Sequence, residues 1–228
     1  MWTKEKVSAT IDHAVLKPSF TDNDVIKGCE LGRKYKVASV CVRPSDVALA
    51  KKQLHGSGVK TSVVVGFPHG ANRSETKALE AKLAIEDGAE ELDMVLNIGK
   101  LLSGDYEYVK NDIKAVVKEA KKFGVLVKVI FEIYYLTNQQ IQDATKLSIE
   151  AGADFVKTST GFAEGSATIE AVDIMIKTAA GRIKVKPSGG IRNFEDAVRF
   201  LELGADRLGV GSTEKVLGDS VANDNENY

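Results

Sequence analysis

The sequence predicts an α/β protein of the (β/α)8, or TIM, barrel class, and three observations lead there. β-forming runs alternate with amphipathic helical stretches eight times along 228 residues, a length that suits one such barrel. Strands such as Ser62-Val63-Val64-Val65 are almost continuously apolar, as expected when both faces of a parallel sheet are covered. A faint repeat closes a helix and opens a strand at Glu86-Asp87-Gly88-Ala89-Glu90, Glu150-Ala151-Gly152-Ala153-Asp154 and Glu202-Leu203-Gly204-Ala205-Asp206. In each, the glycine can take the left-handed position that ends a helix. A doubly wound open sheet also alternates, but eight units in this length fit a closed barrel better. No composition break divides the chain, so residues 1–228 read as a single domain, with a polar tail from about 221 expected to be mobile.

The elements follow in order. The first strand is expected over 9–15, with Thr21 or Asp22 capping a helix that runs to about 35. The second strand, 37–42, stops at Pro44, and Ser45 caps a helix over 46–54. The third, 61–67, ends at Pro68-His69-Gly70. A helix over 73–86 follows, with Leu79, Leu83 and Ile85 as its apolar stripe. The fourth strand is 91–97, and the helix 106–123 presents Val109, Ile113, Val116 and Val117. The fifth strand, 125–133, leads to a helix over 138–150 capped by Thr137. The sixth strand holds Lys157 and is followed by a helix over 169–179. The seventh is 183–186, with Asn193 capping the helix 194–203. The eighth is 207–210, and a helical turn starts at Ser212.

Bulk properties narrow the function. A net charge of -1 gives no reason to expect nucleic acid or an anionic membrane as partner. Cys29 and Cys41 lack metal-ligand spacing and suit a reducing compartment. The start has no apolar targeting run and no later run approaches a membrane span, so a soluble cytoplasmic protein is expected.

In a parallel barrel, side chains at the C-terminal strand ends share one mouth. The polar residues expected there are Asp12 and His13, Asp93, Lys128 and Glu132, Lys157, and Lys186. Such charges need partners, and a satisfied ion network that only fills the barrel is one reading. Two lysines approaching one another favour another. Cations in a desolvated mouth depress each other's pKa, so Lys157 can be a free amine and attack a carbonyl to form a Schiff base. Asp93 could move protons together with Lys186 and a water.

The glycines of Ser188-Gly189-Gly190-Ile191-Arg192 and Gly209-Val210-Gly211-Ser212 follow the seventh and eighth strands, where barrels commonly hold phosphate. No Gly-x-Gly-x-x-Gly follows the first strand and no Gly-Lys-Ser/Thr loop is present, so neither a dinucleotide nor a nucleoside triphosphate is indicated. Cys41 reads as a small core residue or pocket liner, and His13 as a hydrogen-bonded structural histidine. The charges of helix 106–123, from Lys110 to Lys122, read as a solvated face.

With these residues in view, the chain resembles the deoxyribose-phosphate aldolases, a class I aldolase family. The matching stretches include Ile11-Asp12-His13, Ser39-Val40-Cys41-Val42, Val65-Gly66-Phe67-Pro68-His69-Gly70, Glu91-Leu92-Asp93-Met94-Val95-Leu96-Asn97-Ile98-Gly99 and Lys128-Val129-Ile130 with Glu132. The most specific are Phe155-Val156-Lys157-Thr158-Ser159-Thr160-Gly161-Phe162 and Val185-Lys186-Pro187-Ser188-Gly189-Gly190-Ile191-Arg192. The resemblance implies reversible cleavage of 2-deoxy-D-ribose 5-phosphate into D-glyceraldehyde 3-phosphate and acetaldehyde, without metal or organic cofactor. It makes Lys157 the Schiff-base lysine, with Lys186 lowering its pKa and sharing proton transfer with Asp93. Substrate and phosphate contacts fall on Asp12, Gly161, Gly189, Gly190 and Ser212. It also implies a homodimer or homotetramer acting on small phosphorylated sugars and aldehydes. Ala14, Arg43, Ile133, Tyr134 and Gly211 depart from the usual family pattern and bear on substrate range. Two other readings are a related Schiff-base aldolase with a different aldehyde pair and a phosphosugar-binding barrel without turnover. Binding of deoxyribose 5-phosphate without cleavage would single out the last. The terminal Tyr228 is a candidate to fold over the mouth.

Overall fold

The computed structural model describes residues 1–219, so the expectations for the tail and for Tyr228 lie outside the described residues. Eight parallel strands form one sheet: β1 (Ile11–Val15), β2 (Ser39–Val42), β3 (Lys60–Val65), β4 (Glu91–Val95), β5 (Leu126–Ile130), β6 (Phe155–Lys157), β7 (Lys184–Lys186) and β8 (Leu208–Val210). Their order is β7-β6-β5-β4-β3-β2-β1-β8, so neighbours in space are neighbours in sequence. Closure between β7 and β8 rests on the Asp206 amide donating to the Val185 carbonyl (2.9 Å) and the Gly209 amide to the Pro187 carbonyl (2.8 Å). The fold is a (β/α)8 barrel.

Helices cover the outside: α1 (Lys4–Ser8), α2 (Asp22–Tyr35), α3 (Val47–Leu54), α4 (Ser74–Glu86), α5 (Ile98–Leu102), α6 (Tyr106–Lys121), α7 (Asn138–Ala151), α8 (Ile169–Ala179), α9 (Phe194–Leu203) and α10 (Thr213–Val216). Local chemistry sets their ends. Thr137 caps α7 through the Gln140 amide, and Gly152 closes it in the left-handed conformation. The Asn193 side chain accepts from the Asp196 amide at the start of α9. No helix among the described residues is long and apolar enough to cross a membrane.

Three expectations change. Ser45 does not cap a helix, because Pro44–Asp46 forms a 3-10 turn ahead of α3. The short helix α5, capped by the Asn97 side chain, replaces an expected connection. Of the apolar stripe assigned to α4, Leu79 and Leu83 are turned out, 55% and 51% exposed, while Ile85 faces inward as expected, together with Lys77, Ala81 and Ala84. The small alanines let α4 lie close, and Lys77 fills the remaining depth. Its Nζ donates to Asp112 Oδ2 on α6 (2.6 Å) and to the Val95 carbonyl at the end of β4 (2.9 Å). A charged residue therefore occupies the position that a hydropathy pattern would give to a leucine.

Candidate active site

Alternation along a strand places every second side chain inside the barrel. On β4 these are Glu91 and Asp93, on β5 Lys128, on β6 Lys157 and on β7 Lys186. Neighbouring register aligns Asp93 with Lys128, and Lys157 with Lys186. β1 adds Asp12, opposite Ser39 of β2. All of these are buried.

The charges meet around Asp93. Its Oδ2 accepts from Lys157 Nζ (2.9 Å) and from Lys186 Nζ (2.7 Å), so one oxygen serves both lysines. Its Oδ1 accepts from Lys128 Nζ (2.8 Å) and Ser62 Oγ (3.3 Å). Lys186 is also ion-paired with Asp12 Oδ2 at 2.5 Å, though off hydrogen-bonding direction. Asp12 Oδ1 accepts from Ser39 Oγ (2.6 Å) and from the Arg207 guanidinium. Glu91 Oε2 accepts from Lys128 Nζ (2.5 Å) and Arg207 Nη2 (2.8 Å). Four cations (Lys128, Lys157, Lys186, Arg207) thus face three carboxylates (Asp12, Glu91, Asp93).

The surplus cation decides the chemistry. Desolvation favours neutral forms, but the surrounding cations outweigh it for Asp12 and Asp93 and hold both carboxyls well below their usual range. Burial likewise pushes Lys128 down, but Asp12, Asp93 and Glu91 together raise it, so it stays charged. One of the two lysines on Asp93 Oδ2 is then the group that most readily gives up a proton. Burial, together with Lys157 and Lys128, lowers Lys186 despite its two carboxylates. Lys157 is also penalised by burial, but Asp93 more than compensates and its pKa is raised. The two lysines share one acceptor oxygen, so a proton can pass between them through Asp93 Oδ2.

Around this centre, Cys41 is buried with Leu16, Val64, Ala14 and Phe67 in a small apolar cluster of its own. Burial raises its thiol to about 11, so it lines the site as a neutral group. His13 points elsewhere: its Nδ1 pairs with Thr213 Oγ1 at 3.0 Å, and burial lowers it to about 4, consistent with a structural histidine.

The candidate phosphate residues form a second, more open group. Gly161, Gly189 and Gly190 all have positive φ (86°, 81° and 75°), and Ser212 is half-buried just before α10. The segment 161–168 lies across the two glycines of the seventh loop. A Cβ on Gly190 would stand 2.5 Å from Ser166 Oγ, and the Ala167 amide donates to the Ser188 carbonyl (3.3 Å). Asp12 does not join this group; it sits with the lysines.

The sequence profile described as DeoC/LacD family aldolase matches residues 6–212. The chain belongs to that aldolase family. Its membership makes it an aldehyde-lyase, an enzyme of carbon–carbon bonds. The deoxyribose-phosphate aldolase of Clostridium tetani is 49% identical over 215 residues, which span 94% of this chain and 99% of that protein. That of Thermococcus kodakarensis is 50% identical over 216 residues, 94% of this chain and 96% of the relative. A solved structure described as a tetrameric deoxyribose phosphate aldolase from Aeropyrum pernix has a TM-score of 0.88 at 34% identity. It covers 95% of this chain and 91% of that one.

Two members of this aldolase's charge network were missed by sequence reasoning. Glu91 lies two residues before Asp93 and Arg207 two before Gly209, so strand alternation puts each on the inward face. That periodicity was the available signal. Of the family departures, Arg43 pairs with Asp46 (2.6 Å) and donates to the Lys17 carbonyl (3.1 Å), bracing the loop after β1. Tyr134 donates its hydroxyl to Glu164 (3.0 Å) beside the 161–168 segment.

Proposed function

We propose that the chain reversibly cleaves 2-deoxy-D-ribose 5-phosphate into D-glyceraldehyde 3-phosphate and acetaldehyde through a Schiff base on Lys157. The observation that carries this reading is the Asp93 oxygen shared by Lys157 and Lys186 in a buried site with one surplus cation. Lys157 is the better nucleophile of the pair on geometry. It is held by Asp93 alone, whereas Lys186 is also clamped by Asp12. A proton passing from Lys157 to Lys186 through Asp93 Oδ2 need cross only those two hydrogen bonds, and it leaves Lys157 neutral.

The neutral Lys157 amine attacks the aldehyde carbon C1, and loss of water gives an iminium. With the iminium as electron sink, the C3 hydroxyl loses its proton and the C2–C3 bond breaks. C3 becomes the aldehyde of glyceraldehyde 3-phosphate, while C2 keeps the electron pair as an enamine. Protonation of C2 and addition of water then release acetaldehyde and restore the amine. Asp93 with Lys186 is the group placed to relay these protons, directly or through a water. Gly161, Gly189, Gly190 and Ser212 are assigned to the phosphate, because they are half-buried or exposed, outside the buried charge network, on the loops that follow β6, β7 and β8. The tetrameric Aeropyrum relative supports a homo-oligomeric state for this chain.

The test is direct. Purified protein should release both aldehydes from 2-deoxy-D-ribose 5-phosphate, and Lys157→Ala should reduce that rate to background. A Lys157→Ala protein that cleaves at the wild-type rate would refute the mechanism. Tight binding without turnover would refute the reaction.

A further inference from the structure

Glu132 has no part in the proton relay, yet three independent features single it out. The first is its backbone. Among the described residues, three that are not glycine have positive φ: Lys36, Ala180 and Glu132. Lys36 and Ala180 are the C-caps of α2 and α8, where a left-handed residue is the ordinary way to end a helix. Glu132 ends no helix. It sits just beyond β5 at φ 55° and ψ 67°, a conformation that glycine adopts at far less cost. A glutamate keeps this conformation only where its surroundings hold it.

The second feature is that side chain's surroundings. Glu132 is only 2% exposed, and its Oε2 accepts from both the Thr160 amide (3.2 Å) and the Thr160 hydroxyl. Thr160 Oγ1 in turn accepts from the Phe162 amide at 3.0 Å. The carboxylate thus holds the residue before Gly161 directly and the Phe162 amide after it through Thr160 Oγ1. The third feature is Oε1, which is buried and has no hydrogen-bond partner among the described residues. Lys157 lies close enough to bias the carboxyl toward its charged form, although burial wins and its pKa is raised.

We infer that Glu132 is a positioning residue: it holds the Thr160-Gly161-Phe162 turn in the shape that receives the substrate's phosphate-bearing end. The inference rests on the assignment of phosphate to Gly161, Gly189 and Gly190. Sequence geometry links it to β6 as well. The Phe131 amide donates to the Lys157 carbonyl (3.0 Å) and the Ile133 amide to the Thr158 carbonyl (3.1 Å). Glu132 lies between these rungs, so its rotation into the left-handed region turns its carboxylate from the ladder toward Thr160. The same segment that presents the Schiff-base lysine is in this way joined to the turn that grips the far end of the substrate.

The experiment compares Glu132→Gly, Glu132→Gln and Thr160→Val with wild type. Glycine relieves the backbone and removes the carboxylate; glutamine keeps an oxygen that can accept from Thr160. KM for 2-deoxy-D-ribose 5-phosphate is expected to rise about tenfold in Glu132→Gly and Thr160→Val, equivalent to about 1.4 kcal/mol, and to stay within about threefold of wild type in Glu132→Gln. The double variant Glu132→Gly/Thr160→Val should lose clearly less than the sum of the two single ones, because both remove the contact between the Thr160 hydroxyl and the carboxylate. Borohydride trapping of acetaldehyde, which carries no phosphate, should proceed on Lys157 as in wild type. The inference fails if Glu132→Gly keeps the wild-type KM, or if the two substitutions add. It also fails if trapping of acetaldehyde falls in step with use of the phosphosugar. Absence of trapping in wild type would instead overturn the Schiff-base reading.

Discussion

Lys128 offers a test of the charge balance as a whole. Its Nζ stands 2.5 Å from Glu91, 2.8 Å from Asp93 and 3.4 Å from Asp12, and its side chain is fully buried. Lys128→Met keeps most of the apolar stem and removes the charge. Removing one partner from a buried ion group usually costs about 3–5 kcal/mol. Here the low end is expected, about 3 kcal/mol, since Lys157, Lys186 and Arg207 would still match the three carboxylates. The chemical effect has a definite sign. Without Lys128 the site loses its surplus cation, Asp93 is freed to attract the remaining lysines, and both lysines hold protons more tightly. The acid limb of the kcat/KM profile, which reports the neutral amine, should move to higher pH by roughly 1–3 units, the effect of one nearby charge. Urea unfolding and the pH profile for 2-deoxy-D-ribose 5-phosphate measure the two effects. A variant within about 0.5 kcal/mol of wild type and with an unmoved acid limb would refute the account of how the lysines are tuned.

Two further predictions concern groups outside the relay. His13 is held down to about 4 against 6.5 in the unfolded chain, so between these values only the unfolded state binds the proton. Stability should fall on acidification through that window by about 3 kcal/mol, and His13→Gln should lack this component in urea titrations at pH 7 and pH 4.5. Asp112→Asn strands Lys77 in the wall between α4 and α6 and should cost about 3–5 kcal/mol. Lys77→Met combined with Asp112→Leu should cost much less, and a double variant as unstable as the single one would contradict the ion-pair reading.

The barrel was legible because parallel strands covered on both faces are locally apolar and the three Gly-Ala closures mark helix ends. α4 was not, since its register against the barrel depends on small alanines and on Lys77 reaching Asp112. A hydropathy pattern counts Leu79 and Leu83 as core and cannot see a buried ion pair. Asp93, Lys157 and Lys186 were legible as charges in apolar strands, and the structure brings all three within hydrogen-bonding distance. Their proton distribution was not, because it depends on which oxygen of Asp93 each lysine meets and on Asp12 and Arg207 at the far side of the barrel. Glu132 was visible as a polar residue at the mouth, but its left-handed backbone follows from tertiary contacts with Thr160 and leaves no local signature.

The central claim is that Lys157, buried on Asp93 and relieved of its proton toward Lys186, forms the covalent bond to substrate. Incubation with acetaldehyde and borohydride, followed by peptide mass analysis, tests it most directly. The account predicts one ethyl group on the peptide containing Lys157, absent in Lys157→Ala and slowed in Asp93→Asn. An adduct on Lys186 instead, or none on either lysine, would contradict it.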